Sequence, residues 1–170
     1  MEIALHIEKV DPDVRWNRVQ EIDGAYSRFI SARDDATFAW FGPPNGSRIR
    51  LRSIEDSEIV KPEDFRRLDE TPVWEIRQYR IAPGQRARFQ QFFRDRALEP
   101  LRHYGMIVHG RFDDLDDPNN FVWLRGFTDL VERDRRKAAF YQSKLWLEEL
   151  QDEAFSMIED YSNVLLVAPV

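Results

Sequence analysis

The amino-acid sequence predicts an α+β fold, in which helices cover one side of an antiparallel sheet. Three observations support this prediction. The chain has 170 residues, which suffices for one compact domain or for two small units that share a core. Strand-like runs alternate along it with helical stripes of apolar residues. The order of these elements occurs once completely and, before that, once in reduced form, which predicts two related units.

The composition excludes several classes of protein. With no cysteine, the chain has no disulfide scaffold, no thiolate-held metal and no cysteine nucleophile. A formal net charge of -6 argues against general nucleic-acid binding, which needs clustered Lys and Arg. No apolar run approaches the ~20 residues that cross a bilayer. Residues 1–6 carry no export pattern, so we expect a cytoplasmic protein without a membrane span.

The sequence of the first unit, residues 1–72, predicts a reduced β-α-β-β order of elements. Glu2–Val10 alternates as a strand, and apolar residues at helical spacing predict a helix that extends to Ile30. Thr37–Phe41 and Arg48–Ile54 predict a hairpin around the Gly- and Pro-rich residues 42–46. This unit lacks a long closing helix.

Residues 55–72 are charged and contain prolines, which is typical of a connector between two units. Phe65 and Leu68 stand three positions apart and predict a short helix inside it. We therefore place the boundary between the units at residue 72.

The second unit, residues 73–170, begins with a β-branched and aromatic strand over 73–81 that ends at Pro83-Gly84. Helical spacing of apolar residues follows as far as Gly105, and Pro100 must kink or interrupt this helix because it has no amide donor. The predicted helix carries Phe89, Phe92, Phe93, Ala97, Leu101 and Tyr104 on its apolar stripe.

The rest of the second unit predicts two further strands, two helices and a last strand. Met106–Phe112 and Phe121–Phe127 form a predicted hairpin. Thr128 is the predicted N-cap of a helix to about Ala139, and a second apolar stripe runs from Leu147 to Tyr161. A short strand over Val164–Val167 completes a β-α-β-β-α-β order, which is ferredoxin-like.

Alternation along the strands sorts the side chains into two faces. On the first strand of the second unit, Trp74 and Ile76 oppose Glu75, Arg77 and Tyr79. By the same alternation, the mixed polar and aromatic face also includes side chains from the next two strands: His109, Arg111, Phe121, Trp123, Arg125 and Phe127. A face that combines charges with large aromatics is predicted to be enclosed between two units, while the aliphatic face lies under the helices.

Such packing would form a dimeric α+β barrel, either between two chains or between the two units of one chain. Because the first unit is short, unpaired sheet edges would favour association, and we expect a homodimer.

Several ordered motifs resemble the NIPSNAP family over residues 73–168. They lie at 73–84, 97–105, 120–127 and 129–133, with Trp146 beyond them. The fourth strand of the family commonly has a His followed two places on by a Trp, whereas this chain has Trp123 and Arg125. The resemblance implies a dimeric α+β barrel, whose wider superfamily includes cofactor-free monooxygenases of aromatic polyketides, haem-using enzymes, isomerases and proteins without known catalysis.

Candidate site residues come from the mixed face. For catalysis we predict Arg77 as the stabiliser of a developing oxyanion, with His109 or Glu75 for proton transfer. The predicted substrate-binding residues are Tyr79, Arg111, Trp123, Arg125 and Phe127, of which the aromatic ones could stack on a planar ligand. The same residues could equally form a structural ion pair, a hydrogen-bonded core histidine and aromatic core filling.

No cofactor is predicted. The seven glycines form no phosphate-binding loop, no Gly-x-Ser-x-Gly elbow occurs, and His6, His103 and His109 are scattered. His103 alone is weak support for haem. Two functions stay open, a cofactor-independent monooxygenase or isomerase acting on an aromatic or polyketide-like substrate, and a non-catalytic ligand-binding or scaffold protein. The expected partner is a hydrophobic or aromatic small molecule.

Overall fold

The structure is a computed structural model that describes residues 1–44, 49–68 and 71–170, without the side chains of 67 and 68. The predicted turn at 42–46 lies partly outside these residues. Eight strands form a closed barrel in the order β1-β3-β2-β8-β5-β7-β6-β4. Their bounds are β1 Glu2–Lys9, β2 Ser27–Ser31, β3 Thr37–Gly42, β4 Ile49–Ser53, β5 Val73–Ile81, β6 Ile107–Asp114, β7 Asn120–Phe127 and β8 Ile158–Pro169.

The two halves of the chain contribute the same arrangement of four strands. In the first half the spatial order is β4-β1-β3-β2, and in the second half it is β8-β5-β7-β6. The edges then join in pairs, β2 with β8 through Phe29 and Pro169, and β4 with β6 through Leu51 and Asp114. The predicted α+β fold is confirmed, and the barrel closes within one chain, so the sheet edges that favoured a homodimer are paired internally.

The first half differs from the prediction in two respects. Its helix, α1, ends early and spans Pro12–Gln20, while Phe29 and Ile30 belong to β2, where burial alternates as in a strand. The prediction of a hairpin between β3 and β4 is also wrong, because β1 lies between these two strands and pairs with both. The connector contains a 3₁₀ helix at Pro62–Leu68, where a short helix was predicted.

The first helical region of the second half is interrupted, as predicted from Pro100. It consists of α2 at Arg86–Phe92, a π-helical turn at Phe93–Ala97 and α3 at Leu98–His103. The wide π turn directly precedes α3, in which Pro100 cannot donate a backbone hydrogen bond. Gly105 ends this region at a φ of +81°, a conformation that glycine adopts without strain.

The second helical region comprises α4 at Leu130–Tyr141, a π-helical turn at Leu145–Leu150 and α5 at Gln151–Phe155. The N-cap of α4 is Asp129 and not Thr128, because the Asp129 carboxylate accepts a hydrogen bond of 2.7 Å from the backbone amide of Glu132. The predicted apolar stripe extends too far, since Ile158 and Tyr161 belong to β8.

The buried apolar residues form two layers, one inside the barrel and one between the barrel and the helices. The interior layer receives side chains from all eight strands and includes Trp74, Ile76, Val122 and Leu124. The outer layer joins Tyr79 and its neighbours on β7 to the second-half helices. The predicted placement of the faces is therefore wrong: the mixed face lies under the helices and the aliphatic face fills the barrel.

The physical reason is that a closed eight-stranded barrel has an interior just wide enough for apolar side chains. Amphipathic helices with long polar side chains can instead cover a face that carries charges. No helix in the described ranges is both long and apolar enough to span a membrane.

Candidate functional site

A cavity of about 430 Å³ lies between the outer face of the sheet and the helices of the second half. Its floor is formed by β5 and β7, and its walls by the two helical regions. The lining side chains are predominantly aromatic: Phe89, Phe92, Phe93, Trp123, Phe140, Tyr141, Trp146, Phe155 and Tyr161, with Tyr79, Arg77, Lys137 and Gln151 among the polar ones. Its volume falls within the range of about 300–1,000 Å³ that is typical of small-molecule sites.

Both π-helical turns border this cavity. Phe93 and Ala97 from the first turn, and Trp146 from the second, contribute to its lining. A π turn carries an extra residue and widens the helix locally, and such turns are frequent at functional sites. The helical walls are therefore irregular where they face the cavity.

A buried carboxylate lies beneath the cavity floor. Glu75, which is fully buried, accepts hydrogen bonds from Arg77 Nη1 at 2.5 Å and from Arg125 Nε at 2.5 Å. From α4, Arg133 Nε donates to its other oxygen at 2.8 Å, and Lys137 Nζ lies 3.6 Å from that oxygen. Burial alone would raise the pKa of Glu75, but the neighbouring cations, led by Arg125 and Arg77, hold this pKa well below its usual range.

Arg77 connects this network to the cavity. Its Nε donates to the Tyr79 hydroxyl at 3.1 Å, and its guanidinium carbon lies 5.3 Å from the ring centres of both Tyr79 and Trp123. Burial acts to lower the pKa of Arg77, but Tyr79 and Glu75 outweigh it and raise this pKa, so the guanidinium stays charged. The floor thus presents a fixed cation between two aromatic rings.

Arg125 lies under Trp123, at 5.2 Å from its ring centre, and donates to the Tyr141 hydroxyl at 3.0 Å. It belongs to the polar network but does not line the cavity. The structure therefore brings five of the predicted site residues together. Arg77, Tyr79 and Trp123 face the cavity, while Glu75 and Arg125 support them from below.

His109 is separated from this group. A β-bulge lies between Val108 and Gly110, so the side chain of His109 points to the barrel interior, where it stacks on Trp74 with ring centres 4.1 Å apart. The prediction that His109 shares a face with Arg111 is wrong, because the bulge shifts the alternation by one residue. Burial lowers the pKa of His109 to about 4. Because its side chain lies inside the barrel, His109 cannot transfer protons to a ligand in the cavity.

Arg111 and Phe127 also lie apart from the cavity lining. Arg111 faces Phe93 but donates to the carbonyl of Asp56, and its backbone amide donates to Ser57 Oγ at 3.0 Å, so it anchors the connector to β6. Phe127 is fully buried, with its ring centre 5.6 Å from the Arg125 guanidinium carbon.

The sequence prediction missed the contribution of α4. Arg133, Lys137 and Tyr141 follow one another at intervals of four residues, so they share one helix face. All three contact the Glu75 network or the cavity. The four-residue spacing is visible in the sequence. It indicates a role at the site only when the sheet face that α4 covers is known.

Within the described ranges, no group of three or more His, Cys, Asp or Glu side chains could hold a metal ion.

Comparison with known proteins supports the fold. A solved NIPSNAP-like domain protein from Burkholderia xenovorans is 24% identical, with a TM-score of 0.54 over 59% of this chain and 87% of that one. A NIPSNAP family protein of unknown function from Agrobacterium tumefaciens is 23% identical, with a TM-score of 0.51 over 59% and 89% of the two chains.

A haem-degrading enzyme from Listeria monocytogenes shares the complete architecture, with a TM-score of 0.58 over 99% of both chains, although identity is 9%. No significant match was found among curated proteins.

The profile of the NIPSNAP family matches residues 74–169, which is more than half of the chain. The matched region contains β5 from Trp74 onward, the cavity floor and both helical walls. On this match, the chain belongs to the NIPSNAP family.

Proposed function

We propose that this protein binds an aromatic small molecule in the cavity above β5 and β7 and acts on it as a cofactor-independent enzyme of the monooxygenase or isomerase type. The observation that carries the proposal is the partly open, mainly aromatic cavity of about 430 Å³ with Arg77 in its floor. The barrel interior, in which the sequence predicts the site, is filled by side chains such as Trp74 and Leu124, so the ligand site lies outside the barrel in this proposal.

The lining favours a planar ligand. Trp123, Phe140, Tyr141 and Trp146 surround the space with ring faces and edges, and aromatic ligands stack on such walls. Phe155 and Tyr161 also line the cavity and stay about half exposed, with ring centres 5.2 Å apart. We place the ligand entrance at this pair.

The polar groups suit the formation of a substrate oxyanion. Arg77 is held by Glu75 and Tyr79 and would stabilise a phenolate or enolate oxygen as its charge develops. Glu75 itself serves as the counter-ion that positions Arg77, because it is fully buried and does not line the cavity. Lys137 also lines the cavity, and its ammonium group lies 3.6 Å from Glu75 Oε1, so it would add a second positive charge beside the developing oxyanion.

Haem is not part of the proposal, although one structural neighbour is a haem-degrading enzyme. None of the described cavity-lining side chains is an imidazole, and His103 is exposed on α3. The lining thus offers no histidine as an axial ligand.

A non-catalytic ligand-binding role is the second candidate. The observation that favours it is that Arg77, Arg125 and Arg133 all bind Glu75, as they would in an ion network that only supports the fold.

Two measurements test the proposal. The neutral fluorophore N-phenyl-1-naphthylamine should bind saturably with a blue-shifted emission, and Ala154→Phe, which places a ring in the cavity, should abolish this binding. Ala138→Phe adds the same ring on the exposed side of α4 and is the matched control. Equal binding by wild type and Ala154→Phe would refute the site.

For activity, a hydroxyanthrone should be oxidised to the quinone with one O₂ consumed per substrate. The methylene carbon loses two hydrogens and gains one oxygen atom, and the second oxygen atom leaves as water. Arg77→Met should slow this reaction more than it weakens binding of the neutral fluorophore. Binding without turnover of this substrate or of an enolisable ketone would reject the enzyme and support the ligand-binding candidate.

A further inference from the structure

We propose that the ligand of the cavity is an anion, an aromatic molecule with one acidic group that Lys137 and Arg77 hold together. This inference rests on the proposed function, since it names the class of ligand for the same site. It concerns recognition and holds for a catalytic as well as for a non-catalytic protein.

The first support is an imbalance of charge around the cavity floor. Four cationic side chains contact the single buried carboxylate of Glu75: Arg77, Arg125, Arg133 and Lys137. Among the described residues, the other carboxylate that contacts this group is Asp134, which pairs with Arg133 and is 75% exposed to solvent. The buried part of the cluster therefore keeps an excess of positive charge, and buried charges without partners are costly.

The second support is that hydrogen-bond donors at the floor are unused. Lys137 Nζ lies 3.6 Å from Glu75 Oε1, which is too far for a hydrogen bond, and its side chain is 29% exposed, so its ammonium group is accessible to an acceptor. Trp123 Nε1 is fully buried and, within the described part of the chain, has no hydrogen-bond partner. Both side chains line the cavity, and an acceptor inside it could bind the accessible ammonium group of Lys137.

The third support is the composition of the lining. No aspartate or glutamate is present among the described residues that line the cavity. Arg77 and Lys137 contact the two different oxygens of Glu75, which places the two cations side by side at one end of an otherwise aromatic space. An aromatic acid matches this division, with its ring among the aromatic walls and its acidic group at the cationic end.

The electrostatics of Lys137 agree with this assignment. Burial lowers the pKa of Lys137, the neighbouring Arg133, Arg125 and Arg77 lower it further, and only Glu75 opposes them. A bound anion would add a second opposing charge and would favour the ammonium form.

The test compares two probes that differ in one acidic group. 1-Anilinonaphthalene-8-sulfonate is the sulfonated counterpart of N-phenyl-1-naphthylamine, and both report binding by fluorescence. Wild type should bind the sulfonate about 10-fold or more tightly than the neutral probe, as expected for a charge-assisted hydrogen bond. Lys137→Met should reduce this preference by about 10-fold and leave the affinity for the neutral probe within about 2-fold, because one charge-assisted contact is lost while Arg77 remains.

Two control variants complete the design. Lys137→Arg keeps the charge and should keep the preference, whereas Lys144→Met removes an exposed lysine and should change neither affinity. Equal affinities of wild type for the two probes would overturn the anion proposal and leave the proposed function intact. If neither probe binds, the proposed function fails as well.

Discussion

The Glu75 network permits a quantitative prediction for the variant Glu75→Gln. The carboxylate is fully buried and lies within 2.5–2.7 Å of three guanidinium groups, whose own side chains are at most 9% exposed. Replacement by an amide leaves these guanidinium groups buried without an anion. Breaking a buried ion pair on one side costs about 3–5 kcal/mol, so we expect a loss of this size in the free energy of unfolding at pH 7.

Urea denaturation, followed by tryptophan fluorescence, measures this loss. With a typical dependence on denaturant, the unfolding midpoint should fall by roughly 1–2.5 M. Glu2→Gln is the control, because the pair that Glu2 forms with Arg52 is exposed and its removal should shift the midpoint far less. A loss below about 1 kcal/mol for Glu75→Gln would refute the reasoning, since it is the value expected of a solvated pair.

The pH dependence gives a second readout of the same variant. The pKa of Glu75 is lowered in the folded state, so its contribution to stability is complete above the unfolded pKa of about 4.3 and is lost as the pH falls toward the folded value. The difference in stability between wild type and Glu75→Gln should thus shrink below pH 4. A difference that stays constant down to pH 2 would contradict the assignment.

Three further predictions concern the barrel interior. Gly126→Ala should destabilise the protein by about 1–3 kcal/mol, because the new Cβ would lie 2.4 Å from Thr71 Cγ2 and 2.6 Å from His109 Nε2. Thermal denaturation measures this loss, and an unchanged melting temperature would contradict the packing. The imidazole of His109 should titrate near pH 4 by NMR, since burial lowers its pKa, and a midpoint above pH 6 would place it in water. Leu124 lies inside the barrel, so Leu124→Ala should cost about 2–5 kcal/mol of stability and leave the binding of N-phenyl-1-naphthylamine unchanged. A loss of probe binding in the folded variant would place the ligand inside the barrel.

The strand pattern of the second half could be predicted from the sequence because alternation and turn residues are local properties. β5 begins and ends where its β-branched and aromatic run does, and the hairpin of β6 and β7 was predicted. β2 could not be found in this way. Its five residues follow the helix closely, and their strand geometry depends on pairing with β3 and β8, which are distant in the sequence.

Alternation also identified which side chains share the face of Arg77, but it could not say what covers that face. The mixed character of the face suggested a lumen between two sheets. In the structure the interior is filled by apolar residues, and α4 covers the outer face and contributes Arg133 and Lys137 to the ion pairs of Glu75. The isolated Gly110 is a weak local sign of the bulge beside His109, but strict alternation ignores it, so one predicted site residue was placed on the wrong face.

The central claim is that the ligand site lies between the outer sheet face and the helices, outside the barrel. A crystal structure with bound 1-anilinonaphthalene-8-sulfonate tests it most directly. We expect the naphthalene ring against Trp123 and Tyr141, with the sulfonate within hydrogen-bond distance of Lys137. Probe density among Trp74 and Leu124 inside the barrel, or only on the outer surface of the protein, would contradict the claim.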